Sequence, residues 1–362
     1  MNGHAESLKP EYGRRVIVNV VDAYASNDPE RIFAYAPVTS DPKDGWKPIT
    51  YKELSNAVNY LAHELVQRAK ERGPQSDEDF PTVAYIGPSD VRYPIFMLAC
   101  IKAHHKAFFI SPRNSLEGQI SLFKATNCGI LYFAESYLHT ILPWLESHPM
   151  RVIMAPSPNS LLQSTPSPFP YLKPFDEARW DPLVVLHTSG STGIPKPIVM
   201  RQGGFAIADG FRNGPSLHGA PSTWTLWGSS KKFFLPMPMF HAAGVATISS
   251  TGIYYGAALV LGIPDRPLTA DLVVESLVHS GAEGTILPPS IIEDLSLIEE
   301  GIKALAALKF VGFGGGKFAA SEYTESYQLL IRTPPTGNLA PAAGNLLVER
   351  GVILSNMISS TE

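Results

Sequence analysis

Short apolar runs rich in β-branched and aromatic residues recur along this chain, most of them separated by stretches with helical spacing. Thr82-Val-Ala-Tyr-Ile86 reads as a buried strand ending at Gly87-Pro88, and a helical pattern follows over 90–103. Then come Ala107-Phe-Phe-Ile110 as a strand, 116–125 as a helix and Gly129-Ile-Leu-Tyr-Phe133 as a strand. Further strands are expected at Val152-Ile-Met154, Leu183-Val-Val-Leu186, Phe233-Phe-Leu235 and Lys309-Phe-Val-Gly312. Strand, helix, strand in series predicts an α/β fold of mostly parallel sheets covered by helices. Two helix starts carry capping boxes. Thr50 and Glu53 precede Leu54, Val58, Leu61 and Leu65 on one face; Asn114 and Glu117 precede Ile120 and Phe123. The Pro- and Ser-rich stretch 156–182 reads as an exposed connection between two sheet units. The expected organisation is one α/β unit over 1–155 and a second over 183–362.

The totals narrow the partners. With 29 basic and 33 acidic residues the net charge is −4, which provides no basic field for nucleic acid or an anionic membrane. Small molecules or protein domains are the expected partners. Cys100 and Cys128 sit in apolar stretches and read as buried, reduced thiols; no Cys/His spacing suggests zinc. The N-terminus, Met-Asn-Gly-His-Ala-Glu-Ser, lacks the apolar segment of a signal peptide. The uncharged run 245–264 includes Ser249, Ser250, Thr251 and Gly252, and it ends in the turn pair Pro264-Asp265. A short buried helix followed by a strand over 258–262 fits it better than a membrane span. A cytoplasmic protein is expected.

The segment with the most chemistry is Leu186-His-Thr-Ser-Gly-Ser-Thr-Gly-Ile-Pro-Lys196, between the strand 183–186 and a second β-like segment, Pro197-Ile-Val-Met200. Gly190 and Gly193 let the backbone come close and turn its N–H groups toward oxygen anions. The hydroxyls of Thr188, Ser189, Ser191 and Thr192 add donors, and Lys196 adds a point charge. Polyphosphate suits this set. The segment is not a Walker loop, because Pro195 and Pro197 frame the lysine and no helix follows. No Gly-x-Ser-x-Gly frame fits a nucleophile elbow. A flexible Ser/Gly linker is the bland alternative, but linkers seldom lie between two apolar strands.

This loop resembles the phosphate-binding signature of the acyl-adenylate-forming superfamily, which includes acyl-CoA synthetases, luciferases and the adenylation domains of nonribosomal peptide synthetases. The flanks agree with it. Pro236-Met-Pro-Met-Phe-His241-Ala-Ala-Gly244, Ile286-Leu-Pro-Pro-Ser290, Phe313-Gly-Gly-Gly316 and Asn356-Met-Ile-Ser-Ser-Thr-Glu362 resemble its later motifs. The runs 80–90 and 107–119 resemble fungal nonribosomal-peptide-synthetase-like enzymes of the adenylation–carrier–reductase or thioesterase type. The resemblance implies the large N-terminal domain of an adenylate-forming enzyme. It implies attack of a carboxylate on the α-phosphate of ATP, giving acyl-AMP and pyrophosphate, with Mg²⁺ as cofactor. Thr188, Ser189, Gly190, Ser191, Thr192, Gly193 and Lys196 would hold the β- and γ-phosphates, with Lys196 and His241 in catalytic roles, His241 beside the acyl group. Gly314, Gly315 and Gly316 would lie on adenine, Thr361 would contact phosphate, and Glu362 would bind the metal. A small carboxylic acid and a phosphopantetheine carrier domain are the implied partners. Outside the family frame, His241 reads as a structural histidine, 314–316 as a turn and Thr361-Glu362 as a fraying end.

The chain departs from the pattern in three places. It ends at Glu362, before the family's ribose-binding segment, hinge and lysine-bearing small domain, so weak or no adenylation is expected of this polypeptide alone. A non-catalytic nucleotide- or acid-binding remnant, or a truncated gene product, is the alternative. Ser359 replaces a glycine that lets backbone approach the nucleotide. Residues 317–336 are an insertion without a family counterpart, and we hypothesise a translated, unspliced intron. Gly316-Lys317 can be encoded GGT-AAG and Thr336-Gly337 ACA-GGN, which contain donor and acceptor consensus sequences. A true surface insertion is the alternative. A spliced message lacking these codons supports the intron, and uniform transcript coverage removes it.

Overall fold

The computed structural model of the chain describes residues 11–72, 79–188, 194–216, 219–264, 266–314 and 339–357. Helix α1 (Ile17–Asn27) leads to β1 (Ile32–Pro37) and β2 (Trp46–Thr50). Helix α2 (Tyr51–Arg72) begins on a reciprocal cap. The Glu53 backbone N–H donates to Thr50 Oγ1 at 3.1 Å, and the Thr50 N–H donates to the Glu53 carboxylate at 2.7 Å. Strands and helices then alternate: β3 (Thr82–Ile86), α3 (Arg92–Lys102), β4 (Lys106–Phe109), α4 (Leu116–Ala125), β5 (Ile130–Phe133), α5 (Leu138–Ser147) and β6 (Arg151–Met154). Two short helices, α6 (Pro158–Leu162) and α7 (Phe175–Ala178), precede a hairpin of β7 (Pro182–Thr188) and β8 (Lys196–Arg201).

Next come α8 (Gln202–Gly210), α9 (Thr223–Gly228), β9 (Lys232–Leu235) and α10 (Ala242–Thr247), which runs into a π-helical turn over Ile248–Tyr254. The described chain closes with β10 (Ala258–Leu261), α11 (Ala270–Ser280), β11 (Gly284–Leu287), α12 (Pro289–Ser296), α13 (Glu299–Ala306), β12 (Phe310–Phe313), α14 (Pro341–Glu349) and β13 (Leu354–Asn356). The run 245–264 is thus helix, π turn and strand. Among the described residues no helix is long and apolar enough to cross a membrane. The segment 317–336 lies outside the described residues.

Two sheets result. One has the order β6-β5-β3-β4-β7-β8, parallel except for the β7–β8 hairpin. The other has the order β13-β12-β11-β9-β10-β1-β2, parallel except for β1–β2. Every residue of β3, β5, β10, β11 and β12 is buried, because helices cover both faces. One core fills the space between the sheets, with Phe33, Leu61, Tyr85, Phe96, Phe109 and Leu259. A second packs α11–α14 on the outer face of the seven-stranded sheet, and a third packs α4 and α5 on the outer face of the six-stranded sheet. Helix α3 is buried along its whole length, as expected for a helix apolar on every side. Its terminal Lys102 is satisfied by Asp22 at 2.7 Å and Asn59 at 2.8 Å, which ties α1, α2 and α3 together.

Three expectations need correction. Chain order and sheet order are interleaved, so the sheets do not divide at 156–182. Strands β1 and β2 pair into the later sheet (Ala34 opposite Leu259), while β7 and β8 complete the earlier one (Phe108 opposite Val185). The stretch 156–182 therefore joins two strands of one sheet. It is also anchored: Leu161, Tyr171 and Ala178 are buried, and Asp181 takes hydrogen bonds from Lys173 and Tyr171. The cap of α4 is Ser115, whose hydroxyl accepts from the Gly118 N–H at 3.1 Å. Asn114 instead turns its amide to Gln119 and His187.

Candidate active site

In open parallel sheets a ligand meets the loops at the strands' carboxyl ends. Here those ends converge from both sheets. Ser89, Arg113 and Tyr137 follow β3, β4 and β5; Phe240, Arg266 and Ser290 follow β9, β10 and β11. Together they line a cavity of about 600 Å³. The Met239 N–H donates to Ser89 Oγ at 3.3 Å and joins the two sides.

The small-residue loop leaves the carboxyl end of β7. Thr188 and Lys196 are direct partners in the antiparallel β7–β8 ladder, so the hairpin closes at these residues, with Lys196 exposed. His241 ends the segment after β9 and caps α10, its Nδ1 accepting from the Ala243 N–H at 3.3 Å. Phe240, and not His241, belongs to the lining of the cavity. His241 keeps an exposed edge, but desolvation of its ring still lowers its pKa, and a neutral ring with Nδ1 accepting carries its proton on Nε2. Gly314 follows β12 where the chain leaving β13 passes close by. A Cβ there would stand 2.5 Å from the Met357 carbonyl oxygen, so only glycine permits the approach. Ser189, Gly190, Ser191, Thr192, Gly193, Gly315, Gly316, Thr361 and Glu362 lie outside the described residues. Among the described residues no group of three His, Cys, Asp or Glu side chains could hold a metal ion.

Sequence reasoning passed over His187, although it stands inside the quoted loop. Its Nε2 accepts from the Ser111 backbone N–H at 3.2 Å and lies 3.3 Å from the Asn114 side-chain nitrogen. Burial first, and then the charge of His241, pushes its pKa down to about 4. Arg113 and Tyr137 were missed as well. Arg113 lies within the quoted run 107–119, where only its place on a strand-to-helix connection marks it. Arg113 and Arg266 thus line the cavity, and His187 and His241 stand near enough to sense each other's charge. Such a set favours binding and charge neutralisation of an anion.

The model of the family described as AMP-binding enzyme matches residues 21–338. A carboxylic acid reductase of Neurospora crassa is 45% identical over 360 residues, 99% of this chain and 32% of its own length. An isocyanide synthase–NRPS hybrid of Aspergillus fumigatus is 32% identical over 347 residues, 91% of this chain and 22% of its own length. The chain therefore spans a third or less of these relatives. Among solved structures, the N-terminal subdomain of Klebsiella oxytoca NpsA superposes with a TM-score of 0.69 at 18% identity, covering 97% of this chain and 76% of that one. That likeness speaks for the fold.

Proposed function

Because the chain belongs to the AMP-binding enzyme family, we propose that it is the larger part of a domain that activates a carboxylic acid with ATP. A carboxylate oxygen attacks the α-phosphorus, the bond to the β-phosphate bridging oxygen breaks, and acyl-adenylate and pyrophosphate form. One observation carries this reading. The Thr188–Lys196 hairpin end stands at the carboxyl edge of a parallel sheet, and the strand ends of both sheets share a cavity large enough for a small acid.

In this reading Lys196 neutralises the triphosphate, and the hydroxyls of Thr188, Ser189, Ser191 and Thr192 with the backbone of Gly190 and Gly193 hold its oxygens. Gly314, Gly315 and Gly316 would lie against the adenine. His241, neutral and with Nε2–H free to donate, would reach the acyl group from just outside the cavity that Phe240 lines. A nucleotide-borne Mg²⁺ takes only one or two protein carboxylates, a role for Glu362, with Thr361 on a phosphate oxygen. The metal would offset charge building on the pyrophosphate. Within a longer protein the adenylate would pass to a phosphopantetheine thiol of a carrier domain. The Neurospora relative is named for reduction of a carboxylic acid, and we extend that fate to the acid activated here.

Calorimetric titration with Mg-ATP and with AMP tests nucleotide binding by this chain. Pyrophosphate exchange across a panel of acids tests activation by the full-length protein. Binding of both nucleotides, with ATP weakened roughly tenfold by Lys196→Ala while AMP is little changed, is the expected result. A chain that binds neither nucleotide overturns the assignment.

A further inference from the structure

The connection between β4 and α4 grips both stems of the phosphate-loop hairpin. On one side, the Ser111 N–H and the Asn114 amide converge on His187 Nε2 at 3.2 and 3.3 Å, one residue before Thr188. The Asn114 amide is itself held by Gln119 Oε1 at 3.0 Å, and Gln119 is fully buried. On the other side, the first turn of α4 abuts Pro195, one residue before Lys196. A Cβ on Gly118 would lie 2.8 Å from Pro195 Cδ, closer than packed carbons stand, and the rigid proline ring cannot rotate away. The cap of α4, Ser115, fixes that turn through the Gly118 N–H. Two independent contacts therefore set where Thr188 and Lys196 stand relative to the cavity, which Arg113 of the same connection also lines.

We propose that Asn114, Gly118 and His187 are positioning residues. They form a clamp that holds the Thr188–Lys196 end of the hairpin in register for the triphosphate of ATP. The proposal rests on the adenylating reading above. Its chemistry fixes one tautomer. An Nε2 that accepts from Ser111 and Asn114 carries no proton, so the His187 proton sits on Nδ1. Since ATP and AMP share the nucleoside and the α-phosphate, a clamp acting through Lys196 and Thr188 affects ATP and spares AMP. A general loosening of the fold affects both.

The experiment uses the whole 362-residue chain with two substitutions at opposite ends of the clamp. Gly118→Ala adds the forbidden Cβ while favouring the helix itself. Asn114→Asp keeps the side-chain shape but offers an acceptor where His187 needs a donor. In both variants the affinity for Mg-ATP should fall about tenfold, with AMP changed less than about twofold and the melting temperature near that of the parent. Nitrogen NMR of the imidazoles should show His187 with an unprotonated Nε2 in the parent and a protonated one in Asn114→Asp.

Parent-like ATP binding in both variants overturns the clamp while leaving the adenylating reading intact, and equal losses for ATP and AMP overturn it too. If one variant fails to fold, the other decides. A protonated Nε2 in the parent overturns the His187 arm by itself. A parent chain that binds neither nucleotide removes the adenylating reading, and the clamp with it.

Discussion

His187 shows how burial, rather than proximity to an acid, sets the charge of a residue in this site. Its folded pKa of about 4 lies below the ordinary 6.5, so the folded chain binds fewer protons there than the unfolded chain. The stabilisation is fully present above pH 6.5 and is lost as the pH falls through 4, with roughly 3 kcal/mol as its upper bound. His241, lowered by desolvation but exposed at one edge, shifts in the same direction and adds little. Urea midpoints should fall between pH 7 and pH 4, and His187→Asn should flatten that slope. Parallel slopes in parent and variant would show that His187 titrates normally. At this scale the proposed site is only partly visible in sequence. A lysine framed by prolines after hydroxyls and glycines states its chemistry in sequence, whereas Arg113 and His187 gain meaning only where β4 and β7 lie side by side.

Caps and buried ion pairs test the elements. Thr50→Ala removes the hydroxyl that accepts from Glu53 and should cost about 1 kcal/mol, read as a denaturant midpoint shift at constant slope. Asp22→Ala should cost more, about 3–5 kcal/mol, because it strands the ammonium of Lys102, which is 1% exposed. Lys102→Met, which leaves the partly exposed Asp22 to water, should cost less. If the two substitutions cost the same, the buried-charge account is wrong.

The Thr50–Glu53 box was readable because both partners lie within four residues. The second box slipped by one residue, because Asn114 is drawn away by Gln119 and His187, neither of which local pattern can supply. Prolines made 156–182 look like a linker. Its anchoring draws on distant partners such as His63, whose ring lies 4.9 Å from that of Phe169.

For the whole molecule, the class of fold followed from the sequence, because continuous apolar runs separated by helical spacing admit little else. Sheet membership did not follow. Strand β1 joins β10 by a pairing that no local signal announces, and the division at 156–182 looked natural because composition changes there. Expressed separately, residues 11–155 and 183–357 should each fail to unfold cooperatively by circular dichroism. The first piece leaves β1 and β2 without β10, and the second takes β7 and β8 away from β4. A sharp melt from either piece would contradict the interleaved core.

The same crossing bears on how the chain is made. Arg31, just before β1, donates to the carbonyl of Gly256, just before β10, 225 residues further on. A ribosome adding residues at about 5–20 per second needs roughly 10–45 s to supply that partner. For that interval the newborn β1–β2 hairpin carries an open apolar edge, and delivering this protein intact becomes a matter of shielding its first fifty residues until the far strand emerges.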